Sequence, residues 1–319
     1  MRTFAPGKMV VTGAYAVLEG APAITVAVSR GAFADASRTA LLPTPEVRAA
    51  LEAQARAEGS TTPILAPHAD ASAMFVGARK LGLGASAAIL VASLAARMAE
   101  AGADLQDLAV RDALFARARD AHAEAQGGGS GVDVAASVHG GVTRYVMGQA
   151  ARSVALPAGL VVHALACATS ARTSELRAEV DRLRTTNPAS HRACMAELVA
   201  IANDAAAAVD AGDGPAFVDS LRRTARALAR LGVAAQTGVV PAGFDALEAI
   251  AAREEASFTV SGAGGGDVAV FVGPAAPSPE FLRRAHALGL FSLTLSLDHK
   301  GVRIAPATSA LAENPSRAF

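Results

Sequence analysis

The feature that most constrains this chain is a glycine turn feeding directly into a helix. Lys80-Leu81-Gly82-Leu83-Gly84-Ala85-Ser86-Ala87-Ala88 is followed by alanine-rich sequence to about residue 101. Glycine lets a backbone approach a ligand closely, and a helix N-terminus offers unpaired N–H groups and positive partial charge. Together they suit a phosphate. The glycine spacing is not that of a Walker loop, and no Lys-Ser or Lys-Thr pair follows. Read alone, the turn is either a phosphate cradle or a structural entry to a helix. Ser86, in the first turn, either caps the helix or ligates a magnesium ion.

Three further segments carry chemistry of the same kind. Ser261-Gly262-Ala263-Gly264-Gly265-Gly266-Asp267 lies between two β-prone stretches. Its glycine content is costly in backbone entropy, and an ordinary hairpin needs only one or two glycines. It either lines a ligand's phosphates or makes a wide turn. Ala121-His122-Ala123-Glu124-Ala125-Gln126-Gly127-Gly128-Gly129-Ser130-Gly131-Val132-Asp133 ends in a carboxylate that either accepts a proton from a substrate or, like Ser130, caps a short helix. Ala5-Pro6-Gly7-Lys8 projects a lysine at the start of a strand, where it is either catalytic or simply solvated.

Hydrophobic periodicity places these segments. The first thirty residues read as strand, turn, strand, with β-prone runs at 9–12 and 24–28. Helical patterns cover 43–59, 85–101 and 105–126, with a short helix after Gly131. Residues 60–70 read as loop or edge strand, and 143–146 and 160–166 as strands. Helices follow at about 174–183, 191–211, 214–231 and 243–255. The end alternates strand 257–260, glycine loop, strand 268–272, helix 279–288 and strand 291–297. Strands mixed with helices, without regular βα alternation, indicate an α+β fold. A division into lobes at 1–160 and 161–319 is expected.

Composition removes several function classes. Twenty-nine basic and 29 acidic residues cancel, so no nucleic acid or membrane partner is indicated and any anion site must be local. The apolar run at 87–96 is too short for a membrane span, and no leader pattern is evident at the N-terminus, so a cytoplasmic location is expected. Cys167 and Cys194 lack CxxC spacing and read as buried or idle thiols. Only Lys8, Lys80 and Lys300 are lysines among the 29 basic residues, and two of them adjoin glycine motifs. Where arginine serves almost everywhere, a retained lysine points to a need for a compact ammonium.

The four segments, in this order, resemble the motifs of the GHMP kinases (galactokinase, homoserine kinase, mevalonate kinase, phosphomevalonate kinase). APGK with GAYAVLEG is similar to the first motif, KLGLGASAA to the second and SGAGGGD to the third. Within the family the chain is most similar to the phosphomevalonate kinases, through AHAEAQGGGSGVDV, Lys80 two residues before Gly82, and Asp267 ending the third motif. It departs from them at Ala14, at Ala85 in place of a serine, and in a shortened glycine segment without a lysine. The resemblance implies a two-lobed GHMP kinase fold, with an N-terminal ribosomal-protein-S5-like lobe and a C-terminal ferredoxin-like lobe carrying extra helices. It implies transfer of the γ-phosphoryl group of ATP, with Mg2+, to a small molecule, phosphomevalonate becoming diphosphomevalonate. Alternatives are a mevalonate or homoserine kinase, or a silent ligand-binding paralogue. Lys8, Lys80 and Asp133 are then the expected catalytic residues. Gly82, Leu83, Gly84, Ala85, Ser86, Gly262, Ala263, Gly264 and Gly265 are expected at the ATP phosphates, with Ser86 at the metal. Ser130, Arg144, Ser261 and Asp267 are expected at the acceptor, with Ser170, Arg172 and Ser174 as weaker candidates. A structural ion pair is the competing reading of Arg144. The expected assembly is a monomer or homodimer.

Overall fold

The structure, a computed structural model, describes residues 1–168 and 173–306. It opens with β1 (Arg2–Thr12) and β2 (Ala23–Thr39), joined through a 3-10 turn at Ala16–Glu19. α1 (Pro45–Ala57), β3 (Pro67–Asp70) and two short strands, β4 (Phe75–Val76) and β5 (Arg79–Lys80), lead into α2 (Ala85–Glu100), α3 (Leu108–Gln126) and α4 (Val132–His139). β6 (Val142–Tyr145), β7 (Arg152–Val154) and β8 (Val161–Ala166) follow. Then come α5 (Thr173–Thr186), α6 (Pro188–Ala211), α7 (Gly214–Ala234) and α8 (Phe244–Arg253). The chain continues through β9 (Ser257–Val260), β10 (Val268–Gly273), α9 (Pro279–Ala287), β11 (Phe291–Leu293) and β12 (Arg303–Ile304).

One sheet runs β12-β1-β2-β6-β7, with β3 added to β2, and a second runs β11-β8-β10-β9. Their strand pairs are antiparallel, and the architecture is α+β, as the mixed element pattern indicates. The connection from β7 to β8 contains residue 160, and β12 returns to β1, so the last described strand belongs to the first sheet.

Strand alternation explains how the layers stack. Val10 joins a core formed with Leu90, Val91 and Leu94 of α2, while its neighbours Met9 and Val11 join a second core with Phe217 and Val270. On β10, Val268, Val270 and Val272 face that second core, whereas Ala269 and Phe271 face a third, with Phe244 and Phe281. The two sheets therefore share an interior, and helices cover their other faces. Each fully buried phenylalanine there, such as Phe271 or Phe281, contributes about 1.5–3 kcal/mol of apolar burial. The alanine richness of α2 has a packing reason. Ala87, Ala88, Ala92, Ala95 and Ala96 have no exposed surface, and their small side chains let the helix lie close to the sheet. Thr3 Oγ1 donates to the Ala92 carbonyl at 2.8 Å across that contact.

The strands are longer at the N-terminus than periodicity predicts. Pro6-Gly7, a pair typical of turns, lies inside β1 at an irregularity in its register with β2. Gly31 ends the apolar run without ending the strand, because a Cβ there would meet the Ala5 carbonyl oxygen at 2.1 Å. Conversely, the strand expected over 291–297 stops at Leu293. The chain then crosses to the first sheet, where Leu297 bridges Val28. No helix among the described residues is long and apolar enough to cross a membrane.

Candidate active site

All four of the sequence segments converge on one cleft. The Lys8 amide donates to the Leu83 carbonyl at 2.9 Å, fixing β1 against the glycine turn. Leu81 and Leu83 are buried anchors on either side of Gly82. α2 begins at Gly84 in a left-handed conformation, φ 78°, and no side chain caps its first-turn amides. A Cβ on Gly84 would lie 3.2 Å from Lys8 Cγ and Cε and 3.8 Å from Asp133 Oδ2. The Lys8 side chain is 9% exposed, and its Nζ lies 3.4 Å from Asp133 Oδ1. The two residues face one another across 125 positions of sequence.

Asp133 arrives through a second uncapped helix. Gly131 starts α4 with φ 79°, Asp133 lies in the first turn, and the Val132 amide donates to Ser130 Oγ at 3.3 Å. Tyr145 Oη donates to the Ser130 carbonyl at 2.7 Å. The third motif closes the other side. Ser261 Oγ accepts from the Val10 amide at 2.9 Å, and Tyr15 Oη donates to the Ala263 carbonyl at 2.8 Å. Burial drives the Tyr15 phenol far above its ordinary pKa, outweighing the opposing pull of Arg177, so it stays a donor. Tyr15 holds φ 59°, a rare backbone for an aromatic residue. Asp267 packs so closely on Gly82 that a Cβ there would sit 2.3 Å from its own Cβ.

Ser86 is held by a polar chain from α1 and α3. Glu46 Oε1 accepts from Gln126 Nε2 at 3.1 Å, and that amide faces His122 Nε2 at 3.2 Å and Ser86 Oγ at 3.4 Å. Ser86 Oγ lies 3.3 Å from His122 Nε2. With one amide hydrogen committed to Glu46, Gln126 has one left to share between His122 Nε2 and Ser86 Oγ. Burial would raise the Glu46 carboxyl, but hydrogen bonds from Gln126, its own backbone amide and Thr44 outweigh it and hold the pKa below the usual range. Glu46 thus remains an anion that can anchor the amide.

Other expected residues fall elsewhere. Arg144 forms an ion pair with Asp210 of α6 and does not line the cleft. Strand alternation on β6 sends its neighbour Tyr145 toward Ser130 instead, so the ion-pair reading of Arg144 replaces the acceptor-site reading. Lys80 is exposed on β5, two residues before Gly82, and it too is outside the cleft lining. Gly265 cannot offer its amide to a phosphate in this arrangement, because that N–H donates to the Val239 carbonyl at 2.8 Å. Leu83 and Ala85 bury their side chains and contribute backbone only. Ser174 is exposed on α5 outside the lining, and Ser170 and Arg172 lie outside the described residues. Both cysteines are free, and burial, reinforced by Asp267, pushes the Cys167 thiol up to about 12.

Tyr15, His122, Gln126, Thr173 and Arg177 also line the cleft. His122 and Gln126 carry a legible signal, the four-residue helical spacing that puts both on one face of α3. Among the described residues no group of three or more His, Cys, Asp or Glu could hold a metal by itself.

No family model matches the chain. The curated phosphomevalonate kinase of Streptomyces sp. (strain CL190) is 30% identical over 220 residues, 60% of this chain and 57% of that one. The chain thus spans little more than half the length of that relative. Among solved structures, the Lin0012 protein from Listeria innocua matches with a TM-score of 0.81 at 20% identity, over 95% of this chain and 99% of that one. Streptococcus pneumoniae phosphomevalonate kinase, solved in complex with phosphomevalonate and AMPPNP, matches with a TM-score of 0.74 at 17% identity, over 93% and 99%.

Proposed function

We propose that this chain, whose fold is that of the GHMP kinases, transfers the γ-phosphoryl group of ATP to the phosphate of a small acceptor, mevalonate 5-phosphate. The observation that carries the reading is the Lys8–Asp133 pair, 3.4 Å apart, set against the uncapped N-terminus of α2. The match to a phosphomevalonate kinase at 30% identity supports the choice of acceptor.

Phosphoryl transfer asks a protein for positioning and charge neutralisation more than for covalent help. The first-turn amides of α2 hold the nucleotide phosphates, and the helix dipole favours their charge. Lys8, nearly buried and facing Asp133, presents its ammonium where charge builds on the transferred group. Lys80, at the start of the same turn, supplies a further positive charge. Mg2+ prefers one or two carboxylates together with substrate phosphates, and Asp133, in the first turn of α4, with Ser86, in the first turn of α2, would be the residues to hold it. When bound, the ion neutralises phosphate charge. A phosphate monoester has its second pKa near 6, so the attacking oxygen is already ionised at neutral pH. Asp133 then has no proton to remove, and its task is to orient Lys8 and share the ion. An acceptor hydroxyl would instead need Asp133 as a base.

The test is ADP release, coupled to a reporter enzyme, with mevalonate 5-phosphate, mevalonate, homoserine and galactose as separate acceptors, each with and without Mg2+. Turnover dependent on Mg2+ and fastest with mevalonate 5-phosphate is the expected result. Faster turnover of mevalonate refutes the acceptor, and no turnover with any of them refutes the kinase reading.

A further inference from the structure

A phosphorylated acceptor needs a cation for its phosphate, and Arg144 and Arg79, which flank glycine motifs in sequence, are already engaged. Arg144 is held by Asp210. Arg79 donates from Nη1 to the Cys167 carbonyl at 2.7 Å and lies over the Phe291 ring. Lys8 is matched by Asp133. Arg177 differs. It follows Thr173 by one helical turn on α5, and both line the cleft that contains Lys8 and Asp133. Its Nε is buried with no hydrogen-bond partner, and its Nη1 makes one long contact, 3.4 Å, to the Gly128 carbonyl. Among the described residues no ion pair gives it a carboxylate.

A half-buried guanidinium without a counter-charge is unfavourable until an anion reaches it. Space for that anion exists beside it. A Cβ on Gly127 or Gly129 would meet nothing within 4 Å, and on Gly128 the nearest atom is Arg177 Nη2 at 3.9 Å. We infer that Arg177 is the specificity residue for the acceptor's phosphate, in a subsite between α5 and the 127–129 segment, distinct from the nucleotide phosphates at α2. The planar fork matches two phosphate oxygens, which selects a phosphate or diphosphate ester over a neutral alcohol. This inference rests on the phosphoryl-transfer reading and deepens it.

The test compares wild type with Arg177→Gln and Arg177→Lys. For Arg177→Gln, kcat/KM for mevalonate 5-phosphate should fall at least thirtyfold, chiefly through KM, with KM for ATP within twofold and Tm within about 2 °C of wild type. Arg177→Lys should recover part of the loss. Mevalonate, measured as substrate or as competitive inhibitor, should be affected less than twofold. An equal loss for both acceptors, a rise in KM for ATP instead, or no loss overturns the assignment. Should wild type fail to turn over mevalonate 5-phosphate, the choice of acceptor in that reading fails. Calorimetric titration of mevalonate 5-phosphate with AMPPNP present then decides Arg177 separately. Binding to wild type that weakens at least tenfold in Arg177→Gln supports the subsite, and equal or absent binding overturns it.

Discussion

Two helices open onto the cleft without a side-chain cap, α2 at Gly84 and α4 at Gly131, and the glycine-rich turns leading into them are built for opposite reasons. The turn before α2 is packed solid. Leu81 and Leu83 are buried, the Leu83 carbonyl takes the Lys8 amide, and a side chain on Gly82 would collide with Asp267. Before α4, residues 127–129 stand in open space, tied by the Gly128 amide to the Ala123 carbonyl and by Arg177 to the Gly128 carbonyl, and only Gly131 is packed, against Arg119. Glycine in the first turn excludes a side chain so that backbone and Asp267 can meet. Glycine in the second leaves room for something that is not protein. A rigid cradle beside an open pocket is what a two-substrate transferase needs, one wall fixed around a shared nucleotide and the other shaped to its acceptor.

The sharpest way to break this comparison is to add one methyl group to each turn. Gly82→Ala forces a Cβ to 2.3 Å from Asp267 at φ 69°, and should cost about 2–4 kcal/mol of stability and more than a hundredfold in activity. Gly129→Ala meets nothing and should stay within about 0.5 kcal/mol by denaturant titration. Equal effects would show that the two turns are not built differently.

Asp133→Asn should come next. It keeps the shape of the Lys8 contact while removing the charge, and kcat should fall about 10²–10³-fold with little change in KM for ATP. Steady-state kinetics with folding checked by circular dichroism decide it, and a loss confined to Tm would make the pair structural. A smaller effect is expected from Lys80→Arg, at least tenfold in kcat/KM, or about 1.4 kcal/mol, because a fork cannot replace a point charge between phosphates. Lys300→Arg, outside every motif, is its control and should be neutral. Wild-type efficiency in Lys80→Arg would reduce Lys80 to a generic positive charge, in keeping with its exposed position on β5. The smallest effect belongs to Arg144→Met. Its partner Asp210 is largely exposed, so stability should change by about 0–1 kcal/mol and kcat/KM not at all.

The parts of the site legible in sequence are those set by local chemistry. A glycine turn running into an alanine helix announces an uncapped N-terminus wherever the helix later packs, and Asp133 follows its own glycine start in the same way. Lys8 and Asp133 are each legible from their own motif, and their contact follows from the fold. What stayed hidden depends on tertiary placement. Arg144 and Tyr145 are neighbours, and only the face that β6 turns toward α4 decides which of them reaches Ser130. Arg177 looks like any solvated helix arginine until α5 is laid against Gly128. The Gly265 amide is free in sequence and occupied in the fold, because Val239 reaches it from the segment between α7 and α8. In the fold itself, Pro6-Gly7 imitates a turn because close strand contact and a chain reversal favour the same residue types.

The central claim is that the fixed cradle serves ATP while the open pocket takes a phosphate ester. It is tested most directly by 31P NMR of one reaction containing ATP, Mg2+ and equal concentrations of mevalonate and mevalonate 5-phosphate. The account predicts coupled doublets of a new diphosphate ester growing with ADP while the mevalonate 5-phosphate signal shrinks. Growth of the mevalonate 5-phosphate signal with ADP, and no diphosphate ester, would contradict it.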